Sequence, residues 1–268
     1  MINLDPTFIA ILLATGGLAG FLAGLLGIGG GIIIVPILMW VFPASGFPEE
    51  TAVHLSLGTS LAVIIFTSLS AALGHNRNGN VNWIQVLPLA LSGIIFATLG
   101  SFLAARIEGN VLKILFGVLE IIIGVRLFYP RPILSPGKTL KASLRAFFLI
   151  GGLSGLFSSL FGIGGGTIAV PLMLILLSLP AHLAIGNSCS MIVFVSLFGT
   201  LGYILSGWNH ALPEFCLGYV NYLACGFISL SSIIFARLGV KASQRTATDK
   251  LKKYFSLILI LIGIKLII

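Results

Sequence analysis

The chain has 268 residues, of which 57% are hydrophobic and only 8% charged, with a formal net charge of +8 and a mean hydropathy of +1.14. So apolar a composition excludes a soluble domain and places the chain in a membrane. The positive charge does not argue for nucleic acid, because the basic residues sit in short loops between apolar runs, where they report orientation.

In chain order, residues 1–7 carry Asp5 and no Lys or Arg, so they lack the basic start of a signal peptide and are expected to be retained. Apolar segments follow at about 8–42, 52–74, 84–105 and 111–129, then at 146–180, 183–207, 217–236 and 254–268. Most are near the roughly 20 residues that cross a hydrocarbon core of about 30 Å as helix. The segments at 8–42 and 146–180 are longer, and each carries a glycine cluster near its middle followed by a proline, Pro36 or Pro171. Glycine runs break helices and proline lacks a backbone donor, so each is expected to form two short helices joined by a break, either re-entrant or a tight pair.

The two clusters are copies. Residues 16–38 align without a gap on residues 151–173, with 13 of 23 positions identical, and Gly27-Ile28-Gly29-Gly30-Gly31 returns as Gly162-Ile163-Gly164-Gly165-Gly166. The duplication continues from His54 through Gly58-Thr59-Ser60 to His182 through Gly186-Asn187-Ser188. Lys113 then matches Lys252, and Gly124 matches Gly263. The expected organisation is a first membrane repeat over 1–130, a basic cytoplasmic linker over 131–145, and a second membrane repeat over 146–268.

Loop charges orient the repeats. If both glycine segments turn back, Arg77, Arg131, Lys138, Lys141, Arg145, Arg237, Lys241, Arg245, Lys250, Lys252 and Lys253 share one side, against Arg106, Lys113 and Lys265 on the other. If they cross once, the division is 6 to 8 rather than 11 to 3. Only the first obeys the positive-inside bias. It puts both termini outside the cytoplasm and gives each half an odd number of crossings. The fold class is therefore an all-α integral membrane protein of two inverted-topology repeats, each with a Gly-broken segment plus three spanning helices.

Inverted repeats with broken helices are an architecture of secondary transporters, whose solutes bind near the midplane at helix ends. A helix restarting after the glycines presents unpaired amides and the positive end of its dipole, which suits a small anion. The candidate solute-binding residues are Gly29, Gly30, Gly31, Thr59, Ser60, Gly164, Gly165, Gly166, Asn187 and Ser188, the hydroxyls and amide orienting an oxyanion without carrying charge into the bilayer. Glu120, midway along an apolar segment, is a candidate proton carrier, since a carboxylate there faces the protein interior. His54 and His182 could titrate beside it. Gly16, Gly20 and Gly24, matched by Gly151, Gly155 and Ser159, have the four-residue spacing of close helix packing.

Three cysteines without ligand spacing predict neither disulfides nor a metal site, and no cofactor is expected. A dinucleotide fingerprint fails because Ile32 and Thr167 stand where it needs glycine. Ser60, Ser188, Cys189, His54 and His182 supply nucleophile and base types, yet nothing pairs them, so enzyme activity is not expected. An anion channel using the same pore is the nearer alternative.

The paired G-x-G-G-G-x-x-x-x-P elements, the Gly-Thr-Ser and Gly-Asn-Ser pieces and the turn at 75–79 resemble the sulfite exporter TauE/SafE family of membrane permeases over nearly the full chain. The resemblance implies transport of a small sulfur-containing anion such as sulfite, thiosulfate or an organosulfonate, across a bacterial or archaeal inner membrane. Its partners would be that solute and the lipid bilayer, and a homo-oligomer is compatible with both.

Overall fold

The computed structural model describes residues 6–128, 143–210, 212–243 and 249–268, with side chains of the last stretch from Ser256 onward. Most of the basic linker at 131–145, together with Arg245 and the side chains of Lys250, Lys252 and Lys253, lies outside these residues. Ten helices are described: α1 (Pro6–Leu26), α2 (Gly31–Ala44), α3 (Glu49–Arg77), α4 (Trp83–Ala104), α5 (Gly109–Phe128), α6 (Leu144–Phe161), α7 (Gly166–Leu176), α8 (Ala181–Gly207), α9 (Tyr222–Ser243) and α10 (Asp249–Ile267). The second five repeat the order of the first.

The expectation of two short helices in each glycine segment is half right. α1 and α6 have 21 and 18 residues and, among the described residues, are two of six helices long and apolar enough to cross a membrane, with α3, α4, α8 and α9. Their partners α2 and α7 are short, with 14 and 11 residues. Length is limited by the glycines on one side and by the left-handed Gly46 or the turn at Leu177 on the other. After the break the chain doubles back. A Cβ on Gly30 would stand 2.9 Å from the carbonyl oxygen of Ala19, about two turns before the end of α1, and one on Gly165 would stand 2.7 Å from that of Ser154 in α6.

The segment expected to start at 217 begins its helix five residues later, because Gly218, at φ +53°, turns the chain into a short hairpin. Its strands β1 (Cys216–Leu217) and β2 (Val220–Asn221) pair antiparallel before α9 starts.

Small residues set the packing between halves. A Cβ on Gly16, Gly20 or Gly24 of α1 would run into the carbonyls of Ile228, Ser232 or Ala236 on α9. In the same way Gly151 and Gly155 of α6 lie on the Leu89 and Gly93 carbonyls of α4. The four-residue stripes are thus packing surfaces, as their spacing predicts, and each half contributes one helix to each contact. Repeat-related helices that touch run antiparallel: Gly58 and Leu61 of α3 meet Tyr203 and Gly199 of α8, and Gly117 and Gly124 of α5 meet Gly263 and Ser256 of α10. The outer faces are apolar. On α4, Ile84, Leu87, Leu91 and Ile95 are 51% to 82% exposed, a stripe at helical spacing that requires lipid rather than water around it. The chain is an all-α integral membrane protein with several spans.

Candidate functional site

The two glycine breaks meet at the centre of the molecule. Gly27, Gly29 and Gly30 have φ of +70°, +83° and +90°, and Gly162, Gly164 and Gly165 have +64°, +82° and +81°, a left-handed region that side chains with a Cβ avoid. The last glycine of each motif is needed for contact instead. A Cβ on Gly31 would strike the Gly162 carbonyl, and one on Gly166 the Gly27 carbonyl. Every glycine of the motif is therefore demanded by backbone conformation or by the opposing break. Valine at Gly30 or Gly165 would strain the backbone whatever its effect on a solute.

Each break is tied to the opposite half by a serine. Ser60 Oγ on α3 donates to the Gly162 carbonyl at 2.7 Å, and Ser188 Oγ on α8 donates to the Gly27 carbonyl at 3.0 Å. Both serines are fully buried. Next to them, Ile64 of α3 and Ile192 of α8, also 0% exposed, lie over the glycines: a Cβ on Gly164 would be 3.1 Å from Ile64 and 3.2 Å from Ile192. The helices that restart here, α2 and α7, have no side chain capping their first amides. Four helix ends of opposite polarity thus converge, with two free N-termini facing an apolar isoleucine pair.

Thr59 and Asn187, expected at the same site, point elsewhere. Thr59 Oγ1 accepts from the backbone N–H of Asn221 at 2.9 Å, and Asn187 Oδ1 accepts from the backbone N–H of Asn82 at 2.8 Å while its Nδ2 donates to Gln85 Oε1 at 2.7 Å. Asn82 and Asn221 in turn cap α4 and α9, accepting from the N–H of Ile84 at 3.1 Å and of Ala224 at 2.8 Å. These two asparagines were missed by sequence reasoning. They belong to a second repeated motif, Gly79-Asn80-Val81-Asn82-Trp83 and Gly218-Tyr219-Val220-Asn221-Tyr222, whose loops lie close against Gly186 and Gly58.

The candidate proton groups do not gather. His54 is buried near the start of α3, its Nε2 3.2 Å and 3.1 Å from the carbonyls of Ala104 and Ile107, with its ring 5.1 Å from that of Tyr219. His182 is exposed at the start of α8, at the far end of the antiparallel α3/α8 pair. Glu120 is 1% exposed on α5, and neither carboxyl oxygen has a hydrogen-bond partner among the described residues. A cleft of about 90 Å³ between α3, α4 and α8 is lined by side chains including Leu69, Leu73, Trp83, Val193 and Phe194. Its wall is apolar and it includes no residue of the breaks.

Comparison with known proteins identifies the family. The sequence profile described as "Sulfite exporter TauE/SafE" matches residues 12–266. A probable membrane transporter protein of Haemophilus influenzae is 36% identical over 267 residues, covering 97% of this chain and 98% of the relative. A probable membrane transporter protein of Methanocaldococcus jannaschii is 29% identical, covering 95% and 93%. The probable membrane transporter protein YunE of Bacillus subtilis is 28% identical, covering 96% of each. No solved structure matches the chain.

Proposed function

This chain belongs to the sulfite exporter TauE/SafE family, a family of membrane transporters and not of enzymes, and on that basis we propose that it carries a small sulfur-containing anion such as sulfite, thiosulfate or an organosulfonate. The observation that carries the reading is the meeting of the two breaks, where the uncapped N-termini of α2 and α7 offer amides and positive dipole ends deep inside the protein. Ser60 and Ser188 hold the opposing carbonyls of Gly162 and Gly27 away from a bound anion.

Transport is by alternating access between two inverted repeats. The antiparallel packing of α3 on α8 and of α5 on α10 supports that relation. Because Ile64 and Ile192 cover the junction, a solute reaches it only when α3 and α8 move relative to the breaks, which favours a carrier over an open channel. The loop charges support a cytoplasmic side at the α3–α4 connection and both termini on the outer side of an inner membrane. Glu120 is assigned to proton coupling, as a buried carboxyl group with no partner among the described residues. Transport by Glu120→Gln should then lose its response to a pH gradient, and an unchanged response removes the assignment.

The substrate reading is tested by thermal unfolding of purified protein with sulfite, thiosulfate, sulfoacetate, sulfate and simple carboxylates, since a ligand of the native state stabilises by mass action. At least one of the first three should raise the midpoint in a saturable way. Stabilisation by carboxylates alone would contradict it.

A further inference from the structure

The two breaks are alike in backbone but not in the polarity around them. Ser154, Ser158, Ser159 and Thr167 are the four hydroxyl residues of 151–173, and the repeat pairs them with Ala19, Ala23, Gly24 and Ile32. The three serines are 0% exposed and Thr167 is 8% exposed, yet no hydroxyl oxygen among the four has a hydrogen-bond partner among the described residues. Most other hydroxyls on the described helices are partnered, with Ser196 and Ser206 of α8 as exceptions. Ser56, Ser190 and Thr200, equally at home in helices, donate to the carbonyl one turn back at 2.7, 3.0 and 2.7 Å. A buried hydroxyl without a partner is costly, and in a native protein it commonly marks the place of a bound water or ion.

Position separates the four. Ser159 is packed between helices, where a Cβ on Gly199 of α8 would meet it. Ser158 is turned toward the break: its Cβ would be 3.3 Å from a Cβ built on Gly165, the residue at which α7 restarts. Thr167 is the second residue of α7, on the same turn as the uncapped amides. Ser154 is one turn behind Ser158 on α6, with its backbone beside Gly165.

We propose that the second break carries the side-chain determinant for oxyanions: the first-turn amides of α7 with the hydroxyls of Ser158 and Thr167, and Ser154 behind them, bind an anion with three or more oxygens, while the first break adds the amides of α2 with only apolar side chains at the paired positions. The proposal rests on the anion-carrier reading above and assigns its side-chain hydrogen bonds to one half. Several neutral donors around one helix end suit an anion such as sulfite or thiosulfate, whose separate oxygens can each accept, better than a halide with one centre. The asymmetry also gives a solute a different wall on each side of the junction.

The test is titration of the full-length protein in detergent with sulfite, thiosulfate and, as an oxygen-free control, bromide, read by the anion-dependent shift in unfolding temperature. Thr167→Val and Ser158→Ala should each weaken the response to the sulfur anions by about tenfold in concentration, the loss expected for one hydrogen bond to a charged group. Thr167→Ser should retain the response, and Ala23→Ser in the first half should not alter it. Without anion, Thr167→Val and Ser158→Ala should be at least as stable as the natural protein, because an unpartnered hydroxyl has been removed. Folded variants with an unchanged response overturn the proposal and leave the carrier reading standing, as does a fall in anion-free stability with the response intact. A natural protein that responds to no sulfur anion sinks the substrate reading and this assignment with it.

Discussion

Ser60 and Ser188 show how a single hydroxyl can hold the centre of the molecule together. Each is on a long helix of one half and donates to the carbonyl that ends α6 or α1 in the other. Removing either leaves a buried carbonyl short of a donor, which costs roughly 1–3 kcal/mol. Ser60→Ala and Ser188→Ala should therefore lower the unfolding temperature of the purified protein by similar amounts, and a large effect at only one of them would mean the two ties are not equivalent. That these serines belong with the glycine motifs was legible in the sequence, because both recur in the duplication; that each donates to the opposing break's carbonyl was not. The opposite orientation of Thr59 and Asn187 was not, because adjacent residues on a helix point about 100° apart and the sequence does not say which face meets the break. Nor does it tell a glycine kept for its φ, such as Gly30, from one kept for contact, such as Gly31; both read as the same letter.

Among the elements, the close parallel pairs of α1 with α9 and α6 with α4 fix the frame around the breaks. Their contact is specific to one face of each helix. On α1, a Cβ at Gly20 would collide with the Ser232 carbonyl, whereas one at Gly17 would meet only the Phe235 ring, at an ordinary 3.6 Å. Gly20→Ala should lower the unfolding temperature markedly, while Gly17→Ala should leave it unchanged or raise it, since alanine is better than glycine in a helix interior by up to about 1 kcal/mol. Equal losses at both positions would contradict the packing described. This stripe was legible from its spacing. The loop that caps α9 was not, because Leu217, Tyr219 and Val220 are apolar and merge with the following span in any hydropathy reading; only Gly218 and Asn221 betray the turn and the cap.

For the whole molecule, the shared packing means that neither half stands alone: α1 leans on α9, α4 on α6, and the breaks of both halves occupy one junction. Orientation in the membrane follows from charge. In a background lacking Cys189, Cys216 and Cys225, a cysteine at exposed Asn78, between α3 and α4, should resist an impermeant thiol reagent applied to intact cells, while one at exposed Glu108, between α4 and α5, should react. The reverse pattern would invert the molecule in its membrane. The central claim, that the paired breaks bind and carry a sulfur anion between two closed states, is tested most directly by counterflow. Liposomes containing the purified protein and a high internal concentration of unlabelled thiosulfate or sulfite should take up radiolabelled anion transiently above equilibrium, at an initial rate that saturates with external concentration. Uptake that rises linearly with concentration and never exceeds equilibrium, or no uptake above protein-free liposomes, would contradict it.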